Sequence, residues 1–275
     1  MAKETAAARE QRAQAIALRL RKAQPNPICE LDHRSPWELL VATILAAQAN
    51  DRTINEITPA LFARWPTPAA LAAAQPGEVE VLVKRSGFFR NKARMIQAAS
   101  AMIASEFGGE VPRTMEELVR LPGVARKSAN VVLGTAMRVT AGIIVDTHVT
   151  RVSQRLHLTV HEDPVDIERD LCELFPRRAW IDIGHRIVLH GRYVCVARAP
   201  RCVSCPINEQ CPSATDEPAG TWTQRAAWAQ ALIESRGQDD PTKSRTRAKA
   251  PEEKTVAPRP RTRARGKDNV SRRKT

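Results

Sequence analysis

Along this chain apolar residues recur at three- and four-residue intervals, and no stretch alternates apolar with polar over the length of a strand, so the pattern predicts an all-α protein. Ala13, Ile16, Ala17 and Leu20 lie on one face and predict an amphipathic helix over 5–23, ended by Pro25 and Pro27. Ser35-Pro36-Trp37-Glu38 supplies an N-cap, a proline at the first helical position and a glutamate at the third. The helix it opens, WELLVATILAA, is so apolar that it must be central to the core, and it is expected to end near Gln48. Further helices are predicted over 53–64, from Thr67-Pro68, over 77–85, and over 91–107, where Gly108-Gly109 stops the last. Thr114 to Glu117 reads as another capping box. Beyond Asp146 the spacing predicts a helix to about His157, one opened by Asp163-Pro164, and one from about Ile181 into His190. TWTQRAAWAQALIES, within 216–235, can form one more, packing Trp228 and Leu232.

The organising stretch is LPGVARKSANVVLGTAMRVTAGIIVDTHVTR, from Leu121 to Arg151. Pro122 fixes its φ and Gly123 tolerates a left-handed conformation, so Leu121, Gly123, Val124 and Ala125 form a sharp turn between helical patterns. A helix is expected to start near Val124 and run to about Met137. The free N–H groups at its start make an anion site, and for a basic protein the commonest large anion is a nucleic-acid phosphate. Lys127 falls in the first turn, where the positive helix end and a partly buried setting would favour a neutral amine, making it a candidate nucleophile. A short return loop could bring Asp146 back beside it.

Charge sharpens the polyanion reading. Of the net +13, residues 236–275 carry +9 and residues 1–235 only +4. That basic terminal stretch has no Leu, Ile, Phe, Tyr or Trp and is read as a disordered tail that adds cations without fold. No run of eighteen apolar residues exists, so no membrane span is expected. The start, MAKETAAAREQR, lacks an apolar signal core, which points to a cytoplasmic protein with reduced thiols, associated with the nucleoid when on DNA.

Cys195-x6-Cys202-x2-Cys205-x5-Cys211 puts four thiols inside seventeen residues. In a reducing compartment this asks for a thiolate-loving metal centre, and the spacing alone leaves an iron–sulfur cluster and zinc both open. Cys29 and Cys172 fall outside the pattern and read as buried thiols.

LPGVARKSA with VDTH, NPICELDHRSPWELLVATILAAQAND near the start, and HGRYVC with the four cysteines together resemble the endonuclease III family of helix-hairpin-helix DNA glycosylases, over roughly residues 10–212. The resemblance implies a two-lobed helix-hairpin-helix DNA glycosylase fold: a six-helix barrel over 29–140 and an iron–sulfur helical lobe from 1–28 and 141–215. It implies a [4Fe–4S] cluster on Cys195, Cys202, Cys205 and Cys211. It assigns Lys127 as the amine that attacks the sugar C1′ and Asp146 as the carboxylate that stabilises the developing cation. A base in a duplex must be flipped out and its vacancy filled, and Gln48 and Phe88 resemble the gap-filling residues. Phe88 is bulkier than the family's usual leucine. Val119 stands where some members carry a glutamate, and Ala199-Pro200 where the cluster loop often has Lys-Pro, so Arg198 or Arg201 must supply the missing cation. Arg151 and Arg192 are further candidate phosphate contacts, with ion pairing as the plainer role. His148 could orient Asp146, whereas His185 and His190 lack metal-ligand spacing.

The function implied is a bifunctional glycosylase and abasic-site lyase acting, as a monomer, on double-stranded DNA with damaged bases or abasic sites. Two alternatives stand beside it. A monofunctional adenine glycosylase would share the hairpin, aspartate and cysteines but usually lacks the lysine and has a second folded domain. A non-catalytic DNA-binding protein would use the hairpin for phosphate alone.

Overall fold

A computed structural model of the chain describes residues 4–238. The basic tail read over 236–275 therefore lies outside the described residues from 239 onward. Among the described residues every regular element is helical. The helices are α1 (Ala6–Ala23), α2 (Pro36–Leu45), α3 (Asp51–Arg64), α4 (Pro68–Ala72), α5 (Pro76–Val83), α6 (Phe89–Glu106), α7 (Met115–Leu118), α8 (Arg126–Met137), α9 (Thr147–Arg155), α10 (Pro164–Leu174), α11 (Trp180–Tyr193) and α12 (Trp222–Glu234).

Local chemistry explains the boundaries. Ser35 Oγ accepts from the Glu38 amide at 3.2 Å and Pro36 opens α2, while the Glu38 carboxylate reaches back to the Arg34 amide at 2.7 Å. The Thr114 box is only half formed, because the Glu117 carboxylate takes the Thr114 hydroxyl rather than a backbone N–H. α2 stops at Leu45, three residues before Gln48, and the chain turns at Gln48 with φ of 54°. α8 begins at Arg126 instead of Val124, since Gly123 at φ +80° and an extended Ala125 belong to the turn.

Buried side chains form two clusters. One gathers α2 to α8, with every residue of α2 after Pro36 buried. The other joins α1 to α9, α10, α11 and α12, with Ile16 and Leu20 facing inward and α12 packing Ala229 and, half-buried, Trp228; Leu232, also on α12, is buried too. Between them runs the return segment after α8, which belongs to no regular element. Its alternation sends Ile143 and Val145 into the second cluster and Ile144 into the first, so one stretch is gripped from both sides before it delivers Asp146. α11 lies close against it: a Cβ on Gly184 would sit 3.3 Å from the Ile144 nitrogen.

A charged tie also crosses this seam. Glu168 on α10, 8% exposed in its side chain, receives Arg126 Nε at 2.7 Å, Arg126 Nη2 at 3.1 Å and Asn130 Nδ2 at 3.0 Å. It anchors the start of α8, one residue from Lys127. A Cβ on Gly142 would lie 1.9 Å from Glu168 Oε1. Gly142→Ala is therefore expected to displace the carboxylate and destabilise the fold by about 1–3 kcal/mol. A melting temperature unchanged within a degree would show that the tie is dispensable.

Candidate active site and DNA-facing surface

A groove of about 600 Å³ opens along the seam between the two clusters, and its wall holds Lys127, Asp146 and Gln48 together, with Cys29, Asp51 and Arg192 beside them. Three separate segments are thus brought to one place: the turn after α2, the first turn of α8, and the end of the buried return segment.

Lys127 is the second residue of α8, and its side chain is exposed at the groove mouth, not partly buried as its sequence setting suggests. What the fold supplies is the helix start itself. Ala125 gives no side-chain cap, and the amides of Ala125, Arg126 and Lys127 meet no acceptor among the described residues. With the exposed Gly123 they form a patch of backbone donors at the positive end of a twelve-residue helix, suited to an anion. Leu121 and Val124 are buried and hold the turn onto the core rather than offering their side chains to a ligand.

Asp146 is the N-cap of α9. Its Oδ1 accepts from the amides of His148 and Val149, both at 2.9 Å, and Oδ2 accepts from no group among the described residues. Capping fixes the carboxylate's orientation while one oxygen stays available to the groove. His148 presents Nδ1 to Arg151 at 3.2 Å, and burial lowers its pKa against the opposing pull of the Asp146 charge, while its backbone amide, not its ring, bonds to that carboxylate.

The two residues read as gap fillers lie in turns of the same character. Phe88 is 71% exposed with φ of 45°, and Gln48 is exposed with φ of 54°. A left-handed backbone is costly for residues of this size, and the turns that hold it present both side chains outward.

Arg151 and Arg192, candidates for phosphate contact or for ion pairing, both have partners within the protein. Arg151 Nη2 donates to the carbonyls of Gly191 at 2.7 Å and Cys195 at 3.2 Å, stitching α9 to α11. Arg192 lies between Glu30 and Asp51, the latter at 2.6 Å, and Tyr193 Oη donates to Glu30 at 2.5 Å. Burial works against the Arg192 charge, but Asp51 and Glu30 outweigh it and hold the guanidinium above its ordinary pKa. This is a second tie across the seam, and its three residues line the groove itself. Sequence reading missed it because Glu30, Asp51 and Arg192 are each ordinary polar residues until the chain brings 141 and 162 positions together.

Cys195, Cys202, Cys205 and Cys211 line a separate chamber of about 210 Å³ in the second cluster, walled by Val152, Leu156, His190 and Ile207. All four are free thiols. Arg155 Nη1 lies 3.3 Å from Cys195 Sγ and donates to the Val196 carbonyl at 2.8 Å, bracing the loop between the first two cysteines. Without a ligand, burial pushes Cys205 up to about 12 and raises Cys211. Among the described residues no three His, Cys, Asp or Glu side chains close on a single-ion position. On the loop Arg198 is exposed, and Arg201 donates to the Tyr193 carbonyl at 2.6 Å. Cys29 and Cys172 are half-buried, and burial pushes both to about 11, which suits inert thiols. His185 and His190 are buried and pushed down to about 4, so both are neutral.

Sequence and structure comparisons agree with this geometry. Residues 41–177 match the model of the HhH-GPD superfamily base excision DNA repair proteins. Endonuclease III of Synechocystis sp. is 53% identical over 208 residues, covering 76% of this chain and 95% of that protein. Two solved structures superpose with a TM-score of 0.71 over 74% of this chain and 96% of theirs: a non-covalent endonuclease III–DNA complex at 42% identity, and a trapped endonuclease III–DNA covalent intermediate at 40%. With its hairpin, lysine, capped aspartate and four cysteines in one fold, the chain belongs to the endonuclease III family of base excision DNA repair proteins.

Proposed function

We propose that this protein is a DNA glycosylase and abasic-site lyase that removes oxidised pyrimidines from duplex DNA and cleaves the strand 3′ of the lesion. The observation that carries the reading is the meeting of Lys127, Asp146 and Gln48 on one groove beside an uncapped helix start.

The chemistry follows from those groups. The lone pair of Lys127 Nζ forms a bond to C1′ as the glycosidic bond breaks, its electrons leaving with the base, which takes up a proton. Positive charge grows on the sugar in that step, and the Asp146 carboxylate stabilises it. Opening of the sugar ring leaves an imine between Lys127 and C1′. That imine acidifies the 2′ proton, whose loss expels the 3′ phosphate by β-elimination. One amine thus serves both bond cleavages. The hairpin amides hold a phosphate near the lesion, and Gln48 and Phe88 fill the space the flipped base leaves.

Among the alternatives, a monofunctional adenine glycosylase lacks a use for an exposed lysine on the groove wall. A purely binding protein has no need of a carboxylate with a free oxygen there. Single-turnover assays on a duplex with one oxidised pyrimidine test the reading: base release accompanied by strand cleavage is expected, and base release without cleavage, or activity on mispaired adenine alone, would overturn it.

A [4Fe–4S] cluster fits the cysteine chamber on two grounds. The four thiols line one chamber of about 210 Å³, with room beyond what one zinc ion held by bonds of about 2.3 Å needs, and Arg155 places a cation against Cys195. When bound, such a cluster supplies a thiolate-ligated cross-link that holds the Arg198 loop to α9 and α11, remote from the groove. Anaerobically purified protein is expected to be brown, with iron and acid-labile sulfide at about four each. Stoichiometric zinc without iron would overturn this. Cys202→Ser should lower thermal stability and DNA affinity together.

A further inference from the structure

Lys92 has no place in the chemistry above, yet it is 4% exposed and carries an ammonium into the core of the first cluster. Its Nζ donates to the Leu45 carbonyl at 2.8 Å and to the Ser86 carbonyl at 2.6 Å. No carboxylate pairs with it among the described residues. Both acceptors are the last residues of helical elements. Leu45 is the last residue of α2, whose terminal carbonyls have no helical partner and carry the negative end of the helix dipole. Ser86 ends the 3-10 turn Lys84–Ser86. Gln48 follows Leu45 by three residues and Phe88 follows Ser86 by two, and each is held at positive φ.

We infer that Lys92 is a positioning residue that locks the Gln48 and Phe88 turns to one another, so that the two side chains enter the duplex as a single preformed unit. Dispersion against the core could fix either turn separately. A shared donor instead fixes the distance between them, and this distance is what a duplex of fixed strand spacing reads. The strained backbone at both positions makes the lock necessary, because either turn relaxes toward negative φ when released. This inference rests on the gap-filling roles proposed above for Gln48 and Phe88, and the test separates the two.

Gln48→Ala, Phe88→Ala and the double variant are made in the full chain with Lys92 and again with Lys92→Met. Lys92→Gln, a neutral side chain that keeps two N–H donors, serves if the methionine variant does not fold. Three quantities are read: single-turnover excision from a duplex bearing an oxidised pyrimidine, fluorescence of 2-aminopurine beside the lesion, and borohydride trapping on a single-stranded abasic oligonucleotide. With Lys92 intact the two alanine losses should be non-additive by about ten-fold, as for groups acting as one. Lys92→Met should lower duplex excision by about 100-fold, the scale of an ångström of misplacement, with a weaker 2-aminopurine signal. The Gln48–Phe88 coupling should then fall to within about two-fold of additivity. The duplex loss should exceed any loss in single-strand trapping by at least about ten-fold, which a general loss of folded protein would not produce. If Gln48→Ala and Phe88→Ala themselves leave duplex excision and fluorescence unchanged, the gap-filling reading fails and this inference with it. If they impair both but their coupling is the same with and without Lys92, the gap-filling reading stands and the inference alone is wrong.

Discussion

Lys127→Ala should eliminate the borohydride-trapped protein–DNA adduct and strand cleavage, lowering excision by on the order of 10⁴-fold or more, the scale at which loss of a covalent nucleophile is felt. The fold should tolerate the change. Lys127 is exposed at the second position of α8, where alanine is a good helix former, and its side chain makes no hydrogen bond or ion pair among the described residues. Binding to lesion duplex should persist within a few-fold, because the anion site consists of backbone amides that the substitution leaves in place. A variant that binds but does not react separates chemistry from recognition. Equal loss of binding and chemistry would instead assign Lys127 to phosphate contact.

Asp146→Asn should cut turnover on lesion duplex by roughly 10²–10⁴-fold, yet leave a detectable trapped species on a preformed abasic site, where no base has to leave. The structure makes the substitution unusually clean. Asparagine caps helices as well as aspartate does, so the bonds from the His148 and Val149 amides to Oδ1 survive while the charge is removed. Asp146→Ala removes both, and should lower stability by about 1 kcal/mol beyond the asparagine variant. If asparagine and alanine lower turnover equally and stability accounts for both, Asp146 is a cap and nothing more. The Lys127 and Asp146 losses should not be summed, since both act on one transition state.

The helical class, most element positions, the hairpin turn and the close spacing of the cysteines were legible because each is a local pattern, whereas Lys127 and Asp146 were paired as catalytic groups through the resemblance and not through spacing. A cap three residues before a glutamate, a Pro-Gly turn, and four thiols at short spacing each carry their physics within a few positions. What stayed hidden was long-range. For Arg151 and Arg192 phosphate contact and ion pairing both stood open, because no local pattern shows that Gly191, Cys195, Glu30 and Asp51 wait for them. The exposure of Lys127 depends on how α8 meets the seam, and its neighbours in sequence suggested burial instead. Lys92 left one trace: it falls on the apolar stripe of α6, with Ile96, Ala99 and Ile103, where a lysine must find buried acceptors. Which acceptors they are could be known only once α2 and the Phe88 turn were seen to converge on it.

The alternating grip on Ile143, Ile144 and Val145 bears on the proposed placement of catalysis in the groove. Asp146 emerges from the most constrained stretch of chain, pinned by both clusters, and Lys127 from a helix start tied by Arg126 and Asn130 to Glu168 on the other side. Two reacting groups from different clusters need a seam that does not slide, because effective alignment is lost with small displacements. The ties through Glu168 and through Glu30, Asp51 and Arg192 both cross the seam and supply that rigidity.

The central claim is that one amine, Lys127 Nζ, carries the covalent step. The most direct measurement is to trap the protein on an abasic-site duplex with borohydride, digest the adduct, and locate the modified residue by mass spectrometry. The account predicts a single reduced sugar adduct on Lys127. An adduct on any other lysine or on the N-terminal amine, with Lys127 recovered unmodified, would contradict it.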